Sequence, residues 1–193
     1  YAKRYRGLVE KTRAAEAKVM PGQTSLTDAV ARYLFKLMAY KDEYEVARLY
    51  TSGAFLEKVR TTFAGDYRLG FHMAPPLLAR RDPVSGELKK REFGPWVFTA
   101  FRVLARMKRL RGTVFDIFGY TSERRHERRM IGEYRDSMLK MARELTPANH
   151  DIAVEIARLP MKIKGYGHVK ERKFREVEAE RQALLKQFAG AAQ

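Results

Sequence analysis

Apolar side chains recur three and four residues apart along almost the whole chain, and this period limits the fold more than any other feature. Tyr1, Tyr5, Leu8, Thr12, Ala15 and Val19 make one stripe, and Leu26, Val30, Tyr33, Leu34 and Leu37 make a second. Pro21-Gly22 separates them, since proline fixes one backbone angle and glycine frees the next. Ser25 or Thr27 is placed to cap the second helix. A third helix is predicted from Asp42 to Tyr50 with Asp42 as its cap, and a fourth carries Phe55, Val59 and Phe63. Pro95 suits the first turn of a helix that buries Val97, Phe101, Leu104 and Met107 and ends at Gly112. A long helix from Thr121 or Ser122 carries Ile131, Tyr134, Met138, Ala142 and Leu145. Thr146 and Pro147 then open a helix that ends at Pro160, and a last helix turns Phe174, Val177, Leu184 and Phe188 inward.

The period changes to two in one place. Tyr67, Leu69, Phe71 and Met73 alternate with Arg68, Gly70 and His72, which predicts a strand with His72 on the opposite face. Asp82 to Gly86 reads as a turn between Arg80-Arg81 and Lys89-Lys90-Arg91, so a small hairpin is predicted near 77–93. The expected fold is mainly α (α+β), a helical domain with a small antiparallel β-sheet or hairpin around residues 67–93. A length of 193 residues suits one domain. The chain opens at Tyr1, already inside a helical stripe and without an initiator Met, and is read as a piece of a longer polypeptide.

Composition narrows the chemistry. The absence of Cys excludes a disulfide scaffold, a Cys-ligated cluster or zinc site, and a Cys nucleophile within this chain. No apolar run reaches the roughly 18 residues of a membrane span, so the reading is a cytoplasmic protein without a membrane partner. No glycine-rich phosphate loop, HExxH or GxSxG occurs. His72, His126, His150 and His168 are scattered, and neighbours such as His150 and Asp151 diverge by roughly 100° on a helix. No catalytic or metal-binding residue is therefore assigned.

Basic residues dominate the remaining candidates. Lys and Arg total 39 against 23 Asp and Glu, a net charge of +16. Arg80, Arg81, Lys90 and Arg91, with His72 beside them, make one candidate interface or anion site. Arg124 and Arg125 open a helix whose macrodipole disfavours cations, and Arg124/Arg128 and Arg125/Arg129 are like-charge pairs. Such a conflict points either to an acidic partner (a carboxylate in this domain, a phosphate or another domain) or to a solvated face partly relieved by Glu123 and Glu127. Gly165, Gly167, His168 and Lys170 form a flexible loop before a helix, where backbone donors can meet an anion. Net charge alone also suits a free-standing basic nucleic-acid-binding module. Against that alternative, the cations are spread over nearly every helix, and no zinc finger, basic zipper or RNA-binding aromatic motif is present.

Four runs carry a resemblance: 26–50 (LTDAVARYLFKLMAYKDEYEVARLY), 65–96 (GDYRLGFHMAPPLLARRDPVSGELKKREFGPW), 110–125 (LRGTVFDIFGYTSERR) and 156–171 (IARLPMKIKGYGHVKE). Together they resemble the C-terminal region of fused indolepyruvate ferredoxin oxidoreductases, which are 2-oxoacid:ferredoxin oxidoreductases. The resemblance implies that residues 1–193 are a single accessory domain, the C-terminal fragment of a larger multidomain enzyme. That parent oxidatively decarboxylates aryl or branched 2-oxoacids to acyl-CoA, with ferredoxin as electron acceptor. Its cofactors are thiamine diphosphate, magnesium and 4Fe-4S clusters, with coenzyme A as co-substrate, all implied for the parent and none for this fragment. The implied partners are the upstream catalytic domains of the same polypeptide, with ferredoxin as a further candidate and an oligomeric parent. The fragment alone is expected to be inactive.

Overall fold

The structure, a computed structural model, describes residues 1–73, 91–163 and 167–191, and side chains at 123 and 167–171 lie outside the description. Among the described residues there are eight α-helices: α1 Ala2–Val19, α2 Ser25–Met38, α3 Glu43–Tyr50, α4 Gly53–Thr62, α5 Val97–Arg106, α6 Ser122–Arg143, α7 His150–Arg158 and α8 Gly167–Gly190. Strands β1 Phe71–Met73 and β2 Arg91–Phe93 pair antiparallel, with Phe71 opposite Phe93, His72 opposite Glu92 and Met73 opposite Arg91. The class is mainly α with a small antiparallel sheet. No helix among the described residues is long and apolar enough to cross a membrane.

The chain gathers into two compact units, Tyr1–Tyr40 with Arg125–Gln193, and Lys41–Arg124. In the first, α2 packs on α1 and on α7, and α7 packs on α8. Its core joins Leu8, Leu26, Val30, Met138, Met141 and Ile156. Each such aliphatic side chain contributes about 1.5–3 kcal/mol by leaving water. Tyr134 keeps its hydroxyl in this interior by donating to the Ala157 carbonyl at 2.9 Å. Lys36 reaches from α2 to the 3₁₀ turn Leu159–Lys162 and the residue after it, where Nζ donates to the carbonyls of Pro160 (2.5 Å), Met161 (3.4 Å) and Ile163 (3.1 Å). In the second unit α3 lies on α5, and Tyr50 stacks on Phe101 while meeting Phe71 edge-on.

Six boundaries differ from the sequence reading. The helix predicted to end at Gly112 stops at Arg106 and continues only as the 3₁₀ turn Met107–Leu110, and Phe63, predicted on the fourth helix, follows the end of α4 and is exposed. The strand is three residues long rather than spanning 67–73, and Tyr67 is exposed, because only Phe71–Met73 has a partner strand among the described residues. Ser25 and Thr27 both lie inside α2; its cap position is Thr24, which makes no capping bond and donates its hydroxyl to Asp28 instead. Thr146 and Pro147 do not open α7. The Asn149 side chain accepts from the Thr146 amide at 2.8 Å and the Thr146 hydroxyl accepts from the Asn149 amide at 3.3 Å, closing a turn so that helix begins only at His150. Pro160 does not end the segment either: it falls at the start of the 3₁₀ turn, where a missing N–H costs nothing. The segment 74–90, with most of the predicted hairpin, lies outside the described residues.

Candidate functional site

The most deeply buried polar cluster sits in the first unit, on α1, α2 and α7. Glu16 and Thr12 follow Leu8 at four-residue steps, so the stripe that seats α1 carries a carboxylate into the core. Glu16 Oε1 accepts from the Leu26 amide at 2.8 Å and from His150 Nε2 at 2.9 Å. Oε2 accepts from the Thr27 amide at 2.8 Å and the Thr27 hydroxyl at 2.6 Å. These are second- and third-position amides of α2, so a carboxylate from another helix performs the capping that Thr24 does not. Burial by itself raises the Glu16 pKa, but the bonds from Thr27, His150 and the two amides outweigh it and hold the carboxyl below its ordinary value.

An imidazole 2.9 Å from a carboxylate is also the arrangement that orients a general base. Here both side chains are buried and each Glu16 oxygen already takes two donors, which fills its hydrogen-bonding capacity. The pair ties helices together.

The second unit concentrates charge at the start of α3. Asp42 caps the helix by accepting from the Glu45 amide at 2.9 Å and takes Arg111 Nη2 at 2.6 Å. Glu43 meets Arg124 at 3.4 Å. Glu45 binds Arg48 at 2.6 Å and Lys108 at 2.9 Å. The bonds from Arg48, working against burial and helped by Lys108, pull the Glu45 carboxyl down to about 2. Between these pairs Tyr44 is buried and meets Phe118 edge-on at 5.2 Å. Burial first, and the nearby Asp116 carboxylate second, push its phenol up to about 12.

A family model matches residues 1–183. The chain belongs to DUF6537, a family of unknown function. No curated protein and no solved structure matches it. The matched stretch of this DUF6537 chain takes in both the Glu16–His150 cluster and the α3 charge cluster.

The predicted site residues fare unequally. Arg124 faces a carboxylate of its own unit, Glu43, the first of the three acidic partners its sequence position pointed to. Arg125 is exposed. His72 and Arg91 are both exposed, but His72 stands opposite Glu92 and Arg91 opposite Met73, so strand alternation places the two on different faces of the sheet. Arg80, Arg81, Lys90 and Gly165 lie outside the described residues. Gly167, His168 and Lys170 are not in a loop: α8 already begins at Gly167. His126, scattered in sequence, packs edge-on against Phe174 at 4.3 Å.

Sequence reasoning missed Glu16. Its available signal was an acid four residues after Thr12 and eight after Leu8, on the apolar stripe of α1. In the same unit, Leu37, Met138, Ile156, Phe174, Val177 and Arg181 line an open apolar cleft of about 50 Å³. Cavities that hold a benzene ring measure about 150 Å³, so this space is smaller than that of one enclosed ring.

Proposed function

We propose that this chain is a C-terminal accessory domain of an indolepyruvate:ferredoxin oxidoreductase-like enzyme and docks on that enzyme's catalytic domains. The observation that carries the reading is the resemblance of the four sequence runs, which between them reach from Leu26 to Glu171. The use of buried charge supports it: Glu16 and His150 are spent on joining helices, and Asp42, Glu43 and Glu45 on anchoring cations of their own unit. The donor set of this chain does not suit the parent's iron-sulfur clusters. With no Cys it has no thiolate for an iron-sulfur cluster, and among the described residues no three His, Asp or Glu side chains gather to hold a metal ion. In this reading the cluster-dependent reaction belongs to the other domains, and this chain contributes binding.

The test uses the natural full-length polypeptide. It should reduce a viologen dye when given an aryl or branched 2-oxoacid and coenzyme A, and residues 1–193 alone should be colourless and inert. Absence of oxoacid-dependent reduction by the full-length protein, or an iron-sulfur band near roughly 400 nm in the isolated chain, defeats the reading. So does sequence-selective DNA binding that survives 200 mM salt, because charge-driven binding by a chain of +16 should collapse between about 50 and 200 mM.

A further inference from the structure

The segment between the 3₁₀ turn Met107–Leu110 and α6 is a locked loop that turns apolar side chains outward. Asp116 is buried and holds both ends: Oδ2 accepts from the Gly112 amide at 2.7 Å and Oδ1 from the Gly119 amide at 3.1 Å. Gly112 has φ of +79°, a backbone state that a side chain resists. The Tyr120 hydroxyl donates across the loop to the Val114 carbonyl at 2.9 Å. Phe118 alone among the large apolar residues turns inward, against Tyr44. Val114, Phe115, Ile117 and Tyr120 are left exposed, with Phe115 showing 68% of its surface.

Ordering these side chains outward has no benefit for folding, since apolar surface stays in water. Its benefit lies in binding: a loop already fixed by its own hydrogen bonds loses little freedom on association. The occupant is set by the loop's chemistry. No Lys or Arg lies within 112–121, so the loop lacks the phosphate track of a nucleic-acid site, and its exposed rings, Phe115 and Tyr120, are interleaved with aliphatic Val114 and Ile117 in a mixed apolar surface. The residues leading into it are cationic: Arg106 and Arg109 are exposed, and neither meets a carboxylate among the described residues. A second copy of a +16 chain is repelled.

We infer that loop 112–121 is a preformed apolar knob that seats in an apolar recess of an acidic protein surface, with Arg106 and Arg109 meeting the acidic rim. It rests on the docking part of the function proposed above and not on the enzyme's identity.

The test is site-specific photo-crosslinking in the natural full-length polypeptide, in its own host. Benzoylphenylalanine replaces Phe115 and, as a control, Phe35, which is exposed to 64%. The expected adduct at Phe115 is an acidic protein segment, within the same polypeptide or on another, at about tenfold or more the control yield. It should fall to the control level in the variant R106E/R109E, and in 0.5 M NaCl for the unsubstituted charges should that variant melt early. A Phe115 yield equal to the control, an adduct with nucleic acid or a second copy of this chain, or a yield indifferent to both charge tests overturns the inference. An acidic partner belonging to no 2-oxoacid oxidoreductase upholds the knob and removes the enzyme reading, so the two fail separately.

Discussion

Glu16 and His150, 134 positions apart in the chain, meet at 2.9 Å with both side chains sealed from solvent. Removing one partner of such a pair leaves the other buried without compensation, together with the two α2 amides. Glu16→Ala should therefore destabilise the protein by about 3–5 kcal/mol in urea unfolding. Thr24→Ala, at the nominal cap that makes no capping bond, should cost well under about 1 kcal/mol. Equal losses in the two variants contradict the assignment of Glu16 as the cap.

Acid should loosen the second unit through Glu45. Its folded pKa of about 2 lies below the ordinary 4.5, so the unfolded chain binds the proton first and the carboxylate's contribution is complete above about pH 4.5. That contribution is lost as pH falls toward 2. Unfolding free energy measured from pH 6 to pH 2.5 should decline less steeply in Glu45→Gln than in the unsubstituted protein; parallel curves refute the pairing with Arg48 and Lys108.

Arg124 and Glu43 are mostly shielded from solvent, at 11% and 16% side-chain exposure, which limits screening by salt. A double-mutant cycle with Arg124→Met and Glu43→Gln should give a coupling of about 0.5–3 kcal/mol. Additive losses show that the arginine at the start of α6 finds its compensation elsewhere.

Gly112→Ala should cost about 1–2 kcal/mol, since φ of +79° is unfavourable for a side chain although space around the position is open. Gly132→Ala, in the interior of α6 with equally open surroundings, should instead stabilise by about 0.5–1 kcal/mol. Thermal melting of the two variants should therefore move in opposite directions.

The helices were legible because their signal is local. Leu26, Val30 and Leu34 declare a buried face within a dozen residues, and the Pro21-Gly22 break and the Asp42 cap fall where sequence put them. Short-range competition blurred the ends: Asn149 and Thr146 satisfy each other and delay α7, and α8 takes up Gly167 and His168. The Glu16–His150 pair was illegible since nothing near either residue announces the other. Sequence placed the helix end at Gly112, six residues past the end of α5 at Arg106, and did not show the exposure of Phe115 and Ile117, because apolar spacing cannot say which side chains a tight turn leaves outside.

The division of the chain also bears on how it is made. Lys41–Arg124 is one continuous stretch, whereas the other unit joins Tyr1–Tyr40 to residues synthesised after Arg124. At about 5–20 residues per second, the intervening 84 residues (124 − 40) occupy the ribosome for about 4–17 s. During that interval α1 and α2 have left the exit tunnel without α7, so the Glu16 carboxylate waits for its imidazole and Leu26 and Val30 for their packing partners. The continuous unit can condense first, and the apolar faces of α1 and α2 stay uncovered until α7 and α8 are made.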